Sequence, residues 1–190
     1  MSELVEQYFK LNFGFGESDW DFLFSKMRRV EIPKKTVVTQ VGQVEQQLSF
    51  IEKGIVRHYI PKSDNDLTFA FVFKDSFVSA YDSFLKQSPS EYAVATITDS
   101  VFYSMNYADV QEIFAQTEVG NKIGRIATEE LFLNKAKREL DLLNKTAEER
   151  YLSLFSERPE LIREIPLKYI ASYIGITPQA LSRIRKRITL

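Results

Sequence analysis

The sequence predicts an α+β protein. It comprises an N-terminal antiparallel β-roll with flanking helices, then one long helix, then a C-terminal helix-turn-helix. Three observations predict it. Between Val30 and about Met105, short runs rich in β-branched and aromatic residues alternate with turn residues, as in a small antiparallel barrel or roll. From Val119 to Asn144 a helical pattern runs without a proline. From Ile165 to Ile188 two short amphipathic segments flank Gly175.

The bounds are those of a soluble globular chain. Its 190 residues hold one large domain or two small ones, with 44% hydrophobic and 27% charged residues. Fifteen Phe and nine Tyr suggest a well-filled core. No apolar run approaches a membrane span and no signal peptide is evident, so a cytoplasmic location is expected. The absence of cysteine excludes disulfides, thiolate zinc sites and cysteine-held iron–sulfur clusters.

In chain order, Leu4, Val5, Tyr8, Phe9 and Leu11 predict a first helix, broken at Gly14 and Gly16. Ser18 or Asp19 can cap a second helix, through Met27, in which Trp20 is expected as a packing anchor. Leu48 to Ile60 reads as a hairpin around Glu52-Lys53-Gly54. Leu67, Phe69, Phe71 and Phe73 alternate with smaller residues and predict a strand whose aromatic side faces inward. Further strands are expected over Tyr92–Thr98 and Val101–Met105, then helices over Ala108–Thr117 and Val119–Asn144. In the long helix Ile126, Leu133 and Leu140 recur every seventh residue, with Ile123 and Leu143 three away at either end. That partial heptad suits pairing with a second copy, although Glu130 and Lys137 interrupt it and burial within one chain would also fit. Thr146-Ala-Glu-Glu149 is a capping-box pattern that opens another helix.

The C-terminal pair is the most specific signal. Leu167, Ile170, Ala171 and Ile174 give the first helix one apolar face, and Gly175 stands where a left-handed C-terminal residue is needed. Thr177 caps the second helix and Pro178 occupies its first position, with Ile176 and Leu181 at staple spacing. Leu181, Ile184 and Ile188 form the buried stripe, which leaves Gln179, Ser182, Arg183 and Lys186 on the opposite face. From Pro166 onward there are five basic residues and no acidic one. A helix-turn-helix lays its second helix in the DNA major groove. Arg183 suits a bidentate bond to guanine and Gln179 to adenine. Lys168, Thr177, Ser182, Arg185, Lys186 and Arg187 suit the DNA backbone.

The order of these parts resembles the Crp/Fnr family of bacterial transcription regulators over essentially the whole chain. The most specific segment is Ala147-Glu-Glu-Arg150-Tyr151-Leu152 followed by Ile165–Ile184. The resemblance implies a cyclic-nucleotide-binding-like β-roll (a double-stranded β-helix) over 1–117, a long dimerisation helix over 118–145 and a DNA-binding domain over 146–190. It implies a homodimer, with double-stranded DNA and RNA polymerase as partners. Arg183 matches the usual base-reading arginine, whereas Pro178 stands where a DNA-contacting arginine is common. The β-wing that usually follows the recognition helix is not expected, because the sequence ends at Leu190.

The ligand pocket departs from the family. Members that bind cyclic nucleotides use a Gly-Glu pair and an Arg-Ser or Arg-Thr pair as a phosphate cassette. Here Ser79 and Ala80, followed by Tyr81, replace the first pair, and Ser90 and Glu91 replace the second. Without the arginine there is no bidentate clamp on a phosphate, and a Glu91 in the pocket would repel one. Cyclic-nucleotide binding is therefore not expected, and no cofactor or metal is. His58 is the only histidine, so it cannot supply the several ligands of a metal-dependent cupin-like site, and no Ser-His-Asp set is possible beyond it. The expected function is that of a dimeric, sequence-specific DNA-binding regulator and not an enzyme. The alternative is a small-molecule-sensing or protein-interaction module with only weak DNA binding.

Overall fold

The computed structural model describes residues 3–14 and 16–188. Two helices, α1 (Glu3–Phe13) and α2 (Glu17–Lys26), precede the strands β1 (Arg28–Ile32), β2 (Val37–Thr39), β3 (Gln47–Lys53), β4 (Val56–Ile60), β5 (Leu67–Val72) and β6 (Phe77–Val78). A short helix α3 (Tyr81–Lys86), strands β7 (Ala93–Thr96) and β8 (Ser100–Asn106), and helix α4 (Tyr107–Gln116) follow. The long helix is α5 (Glu118–Asn144). After it come α6 (Ala147–Glu157), α7 (Pro159–Glu164), α8 (Leu167–Tyr173) and α9 (Pro178–Ile188).

The strands form two four-stranded sheets, ordered β1-β8-β3-β6 and β2-β7-β4-β5. β8 pairs antiparallel with both β1 and β3, placing Val30 opposite Phe102 and Phe50 opposite Tyr103. β3 and β4 do not pair as the hairpin expected over Leu48 to Ile60. They belong to different sheets, and a tight turn carries the chain from one sheet to the other, because closely spaced strands around a glycine show a turn but not a pairing. Gly54 sits in that turn at φ 112°, and a Cβ there would lie 2.1 Å from the Ser100 hydroxyl and 2.8 Å from the Ser100 Cα. Only glycine meets both the left-handed backbone and the close approach.

Two apolar clusters hold the first half together. Phe9, Trp20, Leu23, Phe50, Phe84, Tyr103 and Val110 belong to one, in which the Phe9 and Phe50 ring centroids are 4.9 Å apart. Trp20 is 2% exposed and stacks on Phe24, as expected of a packing anchor. The other cluster fills the roll with Ile51, Val56, Val78, Ala80, Val94 and Phe102. Val72 of β5 packs against it, so the side of β5 opposite to Phe71 faces the roll. The aromatic side expected to face inward is nevertheless buried at Phe71, 7% exposed, so both sides of the strand are covered. Alternation marks two faces of a strand but not which one the roll covers, and Thr68, on the face with smaller residues, is fully buried. The cap of α2 also differs: Gly16 precedes the helix with no side-chain bond, and Ser18 and Asp19 lie within the first turn.

The chain divides into two compact units, Met1–His58 with Phe71–Glu130, and Tyr59–Ala70 with Leu131–Leu190. The division falls inside α5 and across the β4–β5 hairpin. In the first unit, Ile123 is 7% exposed in the aromatic cluster and Ile126 packs partly against it. Ile123, expected in a seam with a second copy, thus faces its own chain's core. Seven-residue spacing cannot tell one apolar neighbour from another. In the second unit Leu133 and Leu140 are 65% and 57% exposed, and Phe132 and Leu143 are 69% and 75% exposed. Helical spacing places all four on one side of α5, with Ala136 between them.

Candidate nucleic-acid interface

The second unit builds the helix-turn-helix from local rules. Ile170 and Ala171 of α8 are fully buried, and Ile174 is 2% exposed. Gly175 follows at φ 83°. Its N–H donates to Ser172 O at 3.1 Å and the Ile176 N–H to Ala171 O at 2.9 Å, the paired bonds of a Schellman motif. Arg150 of α6 completes this end: its Nε donates to Ile174 O at 2.9 Å, and its Nη1 donates to Lys145 O. The family-like segment around Arg150 thus fixes the turn through its carbonyls. The sequence displayed that arginine without showing what it touches.

Thr177 caps α9, its Oγ1 accepting from the Ala180 N–H at 3.2 Å. Leu181 and Ile184 are buried at 1% and 6% exposure. Gln179, Ser182, Arg183 and Lys186 are all exposed, and their spacing puts them on one face of α9. Lys168 of α8 is exposed too, with its Nζ 4.8 Å from the Tyr169 ring centroid. Arg187 lies at the edge of the polar face and pairs with Glu148 at 2.5 Å. Arg185 stands apart from the other basic residues. It is only partly exposed, and its Nε is buried without a hydrogen-bond partner among the described residues.

Within the roll, the residues of the cassette positions spend their hydrogen bonds on the chain itself. Ser79 Oγ donates to Gln47 O at 2.9 Å, and Ser90 Oγ donates to Tyr92 O at 2.8 Å. Ala80 is fully buried and precedes α3, whose Tyr81 ring stacks near Phe84. Glu91 is exposed, so it does not supply the interior acid that its position suggests. Glu45 is buried instead, and Asp82 is half-buried. Glu45 is 9% exposed and accepts from the Thr39 hydroxyl and, at 2.9 Å, from the Gln47 N–H. Asp82 accepts from the Tyr92 hydroxyl at 2.7 Å. Burial, and then that bond, push the Tyr92 phenol far above its ordinary range. His58 is buried and stacks on Tyr92 with ring centroids 5.7 Å apart. Sequence spacing could not find this group, because β-roll closure joins residues from four separate segments. Among the described residues no cluster of His, Asp and Glu could hold a metal ion, and no helix is long and apolar enough to cross a membrane.

Comparison with known proteins agrees with this architecture. Residues 29–117 match the family profile described as Cyclic nucleotide-binding domain. The global regulator CLP of Xanthomonas campestris, described as responsive to c-di-GMP, superposes with a TM-score of 0.71. It shares 18% identity, and the match covers 92% of each chain. FixK2 from Bradyrhizobium japonicum gives a TM-score of 0.71 at 18% identity, over 86% of this chain and 84% of its own. A protein from Eubacterium rectale assigned to the Crp/Fnr family of transcriptional regulators gives 0.76 at 13% identity, over 96% of this chain and 88% of its own. No curated protein sequence matches the chain. The stretch 29–117 is thus similar to cyclic nucleotide-binding domains, and the chain shares its fold with the Crp/Fnr transcriptional regulators.

Proposed function

We propose that this protein is a sequence-specific, DNA-binding transcription regulator that acts as a homodimer on a near-palindromic site. The observation that carries this reading is the outward face of α9. Gln179, Ser182, Arg183 and Lys186 are exposed together while Leu181 and Ile184 anchor the helix. Arg183 and Gln179 read bases; Lys168, Thr177, Ser182, Lys186 and Arg187 meet phosphates. Arg187 exchanges its exposed Glu148 partner for a phosphate at little cost, since exposed ion pairs contribute little. Arg185 contributes through its terminal nitrogens, its Nε being buried.

The long helix supplies the dimer contact through Phe132, Leu133, Leu140 and Leu143, with Ile123 and Ile126 serving the interior of each copy. Two recognition helices then enter successive major grooves about 34 Å apart. In functional terms, 1–117 is the sensing domain, 118–145 the dimer helix and 146–190 the DNA-binding domain. The roll does not take a cyclic nucleotide. Its cassette positions Ser79, Ala80, Tyr81, Ser90 and Glu91 offer no arginine, two of their hydroxyls are bound internally, and Glu45 is a buried carboxyl of the same unit. The role is that of a cytoplasmic, non-enzymatic regulator working with RNA polymerase.

In vitro selection of DNA from a random pool tests the proposal. Enrichment of a two-fold symmetric motif is the expected result. A pool that stays random after repeated rounds, with binding that depends on salt alone, would remove the sequence-specific reading.

A further inference from the structure

The tip of the β4–β5 hairpin belongs to the same compact unit as the helix-turn-helix, and the two are joined by hydrogen bonds that neither secondary structure requires. Ser172, on α8, donates its hydroxyl proton to Asp66 O at 2.5 Å and accepts the Thr68 N–H at 2.7 Å. One side chain thus satisfies an acceptor and a donor of the tip backbone, where Thr68 is fully buried. Arg138, on α5, binds both partners. Its Nε donates to Phe69 O at 2.9 Å, and its Nη2 donates to Thr68 O at 3.3 Å and to Tyr173 O at 2.9 Å. The guanidinium lies over the Tyr173 ring at 4.8 Å. Burial, with the Arg150 charge acting in the same direction, lowers the Arg138 pKa.

We propose that Arg138 and Ser172 are positioning residues for DNA recognition. They fix α8, and through the Gly175 turn α9, to the half of α5 that carries the exposed Leu133 and Leu140. The inference rests on the DNA-binding, dimeric reading given above. A dimer engages two half-sites together only if the vector from its seam to each recognition helix is held constant. Arg138 is placed to hold it, because its planar fork reaches three carbonyls on two segments at once. The hairpin tip closes this clamp on Ser172 and Tyr173 and leaves Gln179, Ser182, Arg183 and Lys186 open. The clamp therefore governs where the reading face is, not what it reads. Its loss should weaken binding to a full palindrome and spare binding to a single half-site.

The test uses the full chain, the Ser172→Ala, Ser172→Thr and Arg138→Lys variants, the palindrome recovered by selection, and a duplex with one half-site. Hydrogen exchange at the Thr68 amide reports the clamp without DNA. Ser172→Ala should speed that exchange about tenfold and raise the Kd for the palindrome about tenfold, the effect of one lost hydrogen bond and its unpaired partner. Its half-site Kd should stay within about twofold of the unaltered chain. Ser172→Thr keeps the hydroxyl and should restore both values. Arg138→Lys keeps the charge but not the fork, and should reproduce the Ser172→Ala pattern even where Ser172→Ala fails to fold. Equal losses on palindrome and half-site would show a merely structural role and overturn the inference. So would a Thr68 amide that is unprotected in the unaltered chain. A chain with a protected Thr68 amide that binds neither duplex would overturn the DNA reading, and the positioning role with it.

Discussion

Arg183 and Gln179 stand one turn apart on α9, both exposed, on a helix whose other side is closed by Leu181 and Ile184. Arg183→Ala should weaken binding at the preferred base by about 1–3 kcal/mol and relax preference there, as measured by competition between the selected site and single-base variants. An unchanged ratio between selected and scrambled DNA would remove Arg183 from the reading face. Two glycines show a different kind of residue-scale control. Gly54 and Gly175 both have positive φ, at 112° and 83°. An added Cβ at Gly54 would strike the Ser100 side chain and backbone, whereas at Gly175 it would meet Leu142 Cδ2 at an ordinary 3.7 Å. Gly175→Ala should therefore cost about 1–2 kcal/mol of backbone strain. Gly54→Ala should cost clearly more, because a clash with the Ser100 Cα adds to that strain. Urea unfolding of the two variants provides the comparison.

Helix α6 shows how far an element is specified by its own residues. Thr146 Oγ1 accepts from the Glu149 N–H at 3.3 Å, and Glu149 Oε2 accepts from the Thr146 N–H at 2.8 Å, so the capping box expected from four residues is formed. Thr146→Ala should destabilise the second unit by about 1 kcal/mol in urea. Hydrogen bonds from the Thr146 backbone, and then from its side chain, hold the Glu149 carboxyl below its ordinary 4.5. The sign follows from linkage: a depressed carboxylate contributes stability above its unfolded pKa and loses it as pH falls through its folded pKa. The gap between wild type and Thr146→Ala should accordingly narrow as pH is lowered from neutral through the carboxylate range. A gap independent of pH would show that the Thr146 hydroxyl adds nothing to the hold on Glu149, whose bond from the Thr146 N–H the variant keeps. Strand β5 shows the opposite limit. Its alternation was legible, but the side facing the roll belongs to Val72, because each face of this strand finds a neighbour.

For the molecule as a whole, the proposed dimer rests on the arrangement of α5. Its first part is spent on the aromatic cluster through Ile123, and its second part presents Phe132, Leu133, Leu140 and Leu143. Leu133→Glu combined with Leu140→Glu should convert a dimer to a monomer in sedimentation and lower affinity for the palindrome. A dimer that persists would place the contact elsewhere. Lys186→Ala should weaken binding to all DNA alike and reduce the salt slope by about 1.

The sequence by itself determined the helix-turn-helix, its caps and its outward polar face, the long helix and the tight turn at Gly54, though not that this turn joins two sheets. Each is written in residues within a few positions of one another, where backbone sterics and capping hydrogen bonds act. It also showed that the cassette positions Ser79, Ala80, Ser90 and Glu91 carry no arginine. Only the tertiary structure decided which side of β5 meets the roll, which turn of α5 stays open, and that Glu45, not Glu91, is the buried carboxyl of this region. Those outcomes, like the clamp of Arg138 and Ser172 on the hairpin tip, depend on contacts between distant segments. Periodicity marks a face as apolar or polar, but only closure of the fold determines what that face touches.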